Sequence, residues 1–167
     1  MSSTEQNAWV GRVLGVTVSG ASQGVSPGVS PGVSLGVSPG GAAGFPAALA
    51  AWRDAAETVD GQIAQLARAL RDTGDDDLAD IAEFGLNAVT AGHKVPLMAA
   101  LMMLGSGDPP AMAKFGAKAL KTVQAFRGHI ESDERVAACD DNPFGVAVSI
   151  RAMLGPALAG LETALRT

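Results

Sequence analysis

A chain of 167 residues with 47% hydrophobic content is the size of one domain with a single core. A formal net charge of -5 disfavours nucleic acid or an anionic membrane held by bulk charge, and 4% aromatic content without tyrosine is a poor base-stacking platform. The lone cysteine, Cys139, excludes an intramolecular disulfide and a thiolate metal cage.

The opening residues carry neither early basic charge nor a long apolar run, so no secretory leader is expected. No apolar run reaches the roughly 18 residues that a membrane-spanning helix needs. The expected home is therefore a reducing cytoplasm, with secretion by a leader-independent route as the exception.

From Trp9 to Ser19 the chain reads WVGRVLGVTVS, rich in β-branched residues. Val10, Leu14, Val16 and Val18 would share one face of an extended strand. A lone strand must pair with another chain or stay solvated, so residues 1–20 read as an extended arm. Its docking residues would be Trp9, Val10, Leu14, Val16 and Val18, added to a partner's sheet edge. The competing expectation is a valine-rich tail without order. A tetrapeptide repeat follows, from Gly24-Val25-Ser26-Pro27 to Gly36-Val37-Ser38-Pro39, then Gly40-Gly41. Low side-chain volume and regular Gly and Pro make residues 21–45 a spacer.

Residues 46–167 read as an all-α bundle of four to five helices. Pro46 suits a helix start, and Leu49, Trp52, Ala56, Val59, Ile63, Leu66 and Leu70 alternate steps of three and four in the manner of a bundle seam. Gly74 ends that helix, and Asp75, Asp76 and Asp77 suit the amide-rich start of the next. The densest apolar stretch then runs from Leu78 to Leu104. Leu78, Ile81, Ala82, Gly85, Ala88 and Val89 form one stripe, and Leu97, Met98, Leu101, Met102 and Leu104 a second. Gly92 and Pro96 between them predict a corner or a kink.

Asp108-Pro109 starts another helix, with Met112, Phe115, Ala119, Val123, Phe126 and Ile130 inward and Lys114, Lys118 and Lys121 on a solvated face. A short helix from Ser132 to Cys139 precedes a break at Asp140-Asp141-Asn142-Pro143. The last helix turns Ala147, Ile150, Leu154, Leu158, Leu161 and Leu165 inward and is kinked at Pro156.

Catalytic constellations are thin. Carboxylates beside Cys139 raise a thiol pKa rather than lower it, which suits a packing residue. Glu83 and His93 form an acid–base pair only if the chain folds back at Gly92. Two histidines make a poor zinc set, the glycine repeat lacks the strand–helix context of a phosphate loop, and no metal or cofactor is expected. The leading expectation is a non-catalytic protein-interaction module, an adaptor, scaffold or accessory domain of a bacterial-type system. Its partner is another protein or a second copy, with no nucleic acid and no integral membrane segment. The alternative is a bundle that binds a small apolar ligand in a methionine-rich interior through Met98 and Met102. A small enzyme centred on His93 and Glu83 stands third.

Overall fold

In the computed structural model, which describes residues 3–14, 44–104 and 109–167, every regular element is helical. The order is α1 (Ser3–Leu14), α2 (Phe45–Asp72), α3 (Asp76–Leu104), α4 (Pro109–Ser132), α5 (Glu134–Ala138), a 3-10 turn (Cys139–Asp141) and α6 (Ile150–Arg166). No helix among the described residues is long and apolar enough to cross a membrane.

Helix α2 forms where its apolar period places it. Trp52, Ala56, Val59, Ile63, Leu66 and Leu70 are buried, while Leu49 is half-buried against the core. Gly74 at φ 83 ends the helix, its amide donating to the Arg71 carbonyl and the Asp75 amide to that of Leu70. This paired closure satisfies two carbonyls that the helix end would otherwise leave bare, in a conformation glycine adopts without steric cost. The tight turn sends α3 back antiparallel to α2. Helices α2 and α4 each pack on both α3 and α6, closing an up-down-up-down bundle.

Several sequence expectations are corrected, among them inward-facing Met112, which is exposed on α4. Gly92 and Pro96 make no corner, because α3 is one helix of 29 residues running through both. Both residues are exposed on its outer side, while Leu86, Val89, Leu97 and Leu101 stay buried on its inner side. Continuous burial on the inner side outweighs the single ladder bond that Pro96 lacks. Ile81, Ala88 and Met102, expected inward, are exposed, whereas Ala82, Gly85 and Val89 are buried as expected and are joined by Ala79 and Leu86.

A further correction concerns the arm. Residues 3–14 are helical, and Trp9, Val10 and Val13 are buried. Packed on α3 and α5, they gain from a shared apolar interior what an isolated strand could not. The strand expected at Trp9, Val10 and Leu14 is thus a helix, while Val16 and Val18 lie outside the described residues. Another correction is at residues 142–149, which are not helical and leave Ala147 outside α6. The Asn142 amide donates to the carbonyls of Cys139 and Val146, and Gly145 takes φ 70. That local network competes with a helical ladder. Finally, α6 runs unbroken through Pro156, which faces solvent.

Candidate functional site

Helix α3 is apolar around most of its circumference, a pattern suited to a helix covered on all sides. Among the described residues none covers its outer side. Steps of three and four connect Phe84, Ala88, Ala91, Val95, Ala99 and Met102, all of them exposed. Phe84 is 78%, Val95 68% and Met102 70% exposed, and no charged residue interrupts the row. Single exposed apolar side chains are ordinary; a contiguous apolar row along one helix is less so.

Beside the lower half of this row, α2 and α3 enclose an open groove of about 560 Å³. Trp52 and Ala56 contribute from α2, and Val95, Met98, Ala99 and Met102 from α3. Arg53, Glu57 and Asp60 edge it from α2. Lys94 donates to both carboxylate oxygens of Asp60 and closes the upper end of the groove. Further up, Arg71 of α2 pairs with Asp80 at 2.5 Å and Glu83 at 3.0 Å on α3. These pairs are exposed enough for solvent to screen them, so they set the register of α2 against α3 more than they stabilise the fold. Trp52 is buried, and its indole N–H has no partner among the described residues.

The candidate acid–base pair is not assembled. Glu83 turns to Arg71, while His93 stacks on Phe126 of α4 at 5.2 Å between ring centroids and lies 5.0 Å from the His129 ring. One uninterrupted helix keeps Glu83 and His93 on different sides, with no fold-back at Gly92 to join them. Desolvation, followed by the neighbouring His129, holds the His93 pKa below its usual value. Burial, followed by Asp140 and Asp133, pushes the Cys139 thiol up to about 12, and its Sγ–H is placed to donate to the Arg135 carbonyl. Such a thiol packs rather than reacts. No group of three or more potential metal-ligating side chains occurs among the described residues.

Met98 and Met102 do come together, as walls of the groove. Met98 is half-buried against the core, as expected, while Met102 is exposed to the cleft. Met153 is also half-buried against the core and receives the Gln62 amide at 3.5 Å. Phe84 was not among the expected site residues. Its signal was present as an apolar row offset from the inward stripe, but both rows fit the helical period, and burial alone separates them. Comparison of the chain with protein-family models, with curated proteins and with solved structures gave no match.

Proposed function

We propose that this protein is a non-catalytic helical interaction module whose working surface is the outer face of α2 and α3. The observation that carries this is the uncharged row from Phe84 to Met102, exposed beside a groove that the same helix helps to build. Leaving large apolar side chains in water forgoes about 1.5–3 kcal/mol for each that a partner could bury. A partner covering this face recovers that free energy, with Phe84 as its most exposed anchor and the charged edge of α2 as the polar rim. The docking role expected of the N-terminal arm passes to this face, because Trp9 and Val10 are occupied in the core.

Site-specific photo-crosslinking in cells tests the proposal. A photoreactive residue replacing Phe84 should give a discrete protein adduct, whereas one at exposed Gly160 on α6 should not. Absence of any protein adduct at position 84 would remove the proposal.

A second function has one specific observation in its favour. The groove is walled chiefly by apolar side chains, Trp52, Ala56, Val95, Met98, Ala99 and Met102, which suits a ligand with an aliphatic body, such as a fatty acid. Isothermal titration with dodecanoate decides it. Saturable heat that Ala99→Glu, at an exposed groove position, abolishes supports a ligand site, and no heat removes it.

A further inference from the structure

Phe84 and the groove are a knob and a hole carried by one rigid helix. Val95, Met98, Ala99 and Met102 occupy relative positions 1, 4, 5 and 8 of their helix, the four corners that receive one side chain from a facing helix. Phe84 cannot fill this hole in its own molecule, since at ~1.5 Å per residue it lies about 22 Å away along the same axis. It can fill the hole of another. Building on the proposal of an interaction face, we infer that the partner is a second copy of this chain, with the two α3 helices packed antiparallel about a two-fold axis.

Seating Phe84 over the partner's hole determines the rest of the register. The axis then passes close to Ala91 and Gly92, both exposed and small enough for the backbones to approach. Ala88 falls opposite the partner's Val95, again small against large. A two-fold axis in the plane of the interface also lays α2 along the partner's α2. The Asp60–Lys94 and Arg71–Glu83 pairs define how α2 is aligned with α3, and they put the axis near Gly61 and Ala64, also exposed and small. No Cβ at Gly61 would meet an atom within 4 Å, so the surface there is open.

Charge provides an independent check, because it was not used to choose the register. Glu57 falls opposite the partner's Arg68 on closely matching faces of α2, and symmetry makes this contact twice. Further out, Arg53 and Asp54 both come level with the partner's Arg71 and Asp72, so these outer charges neither favour nor oppose the register. The extent falls at the low end of what a specific interface buries. From Ile81 to Met102 is about 32 Å at ~1.5 Å per residue, and two adjacent helices each about 10 Å wide give a face of roughly 640 Å². That approaches the ~800 Å² per partner of a stable interface. An isologous contact of this kind closes on itself as a dimer and does not propagate.

Sedimentation equilibrium of the full chain from 1 to 100 µM (approximate working concentrations around the micromolar affinities of modest interfaces) tests this. The expected result is a dimer that Phe84→Asp converts to monomer with unchanged helical circular dichroism. Ala91→Glu, at an exposed position beside the axis, does the same if Phe84→Asp fails to fold. Glu57→Arg weakens dimerisation about tenfold or more by setting like charges together, and adding Arg68→Glu restores most of the loss. A wild-type chain that stays monomeric throughout, whatever else shields Phe84, overturns the inference. So does a dimer indifferent to both apolar-face variants, or a charge exchange that restores nothing. A monomer that still crosslinks from position 84 to a different protein overturns the second-copy partner and leaves the interaction face standing. Absence of any protein crosslink removes both.

Discussion

Trp9 of α1 meets Phe144 edge to face, with ring centroids 5.9 Å apart and planes inclined at 80°. The contact fastens the first helix to the irregular segment before α6, two stretches far apart in the chain. Trp9 is fully buried, so its indole belongs to the same core as Trp52 and Phe126. Replacing Trp9 by Ala is expected to lower stability by about 3–5 kcal/mol, the cost of emptying a large aromatic site. Urea unfolding followed by circular dichroism measures it; an unchanged midpoint would separate α1 from the core.

Cys139 should behave as a closed thiol. With its pKa pushed up to about 12 by burial and nearby carboxylates, the thiolate that attacks a disulfide reagent is scarce near neutral pH. Labelling by Ellman's reagent is expected to be slow in the native protein and rapid in concentrated urea. Fast native labelling would show that the α5 region opens readily.

Stability should fall on mild acidification through His93. Its folded pKa lies below the ordinary 6.5, so the unfolded chain binds the proton more readily. Stability therefore rises with pH between the folded and unfolded values, and is lost as pH drops below about 6.5. His93→Phe keeps a ring against Phe126 without the titration and should flatten the slope of unfolding free energy over that interval. Asp133 acts in a separate, lower window. Its carboxyl is held below 3.8 chiefly by the Arg135 side chain, and its contribution disappears only as pH falls through and below that value.

Gly160 lies inside α6, exposed, with space around the position a Cβ would take. Gly160→Ala is expected to raise stability by about 1 kcal/mol, since the helix no longer has to restrain a glycine backbone. Thermal unfolding measures it, and a lower melting temperature would reveal a packing role for the missing side chain. The site lies away from the outer face of α3, so dimerisation should not change.

Periodicity alone determined the class of this protein and most of its long helices. Trp52, Val59, Ile63 and Leu66 on α2, like Leu154, Leu158 and Leu161 on α6, repeat at a spacing that only a helix turns to one side, and each is buried. Gly74 and Pro109 likewise mark real ends, because their backbone preferences act within a single turn. Tertiary packing decided what local signals left balanced. Gly92 and Pro96 favour a break, yet burial of Leu86, Val89, Leu97 and Leu101 along one inner side carries α3 straight through them. Trp9 and Val10 suit a strand by composition, yet the available partner was an apolar surface on α3 and α5, against which a helix packs. The same limit hid the candidate site. On a helix apolar nearly all round, Leu86 and Phe84 look alike in sequence, and only the positions of the neighbouring helices leave one in the core and the other in water.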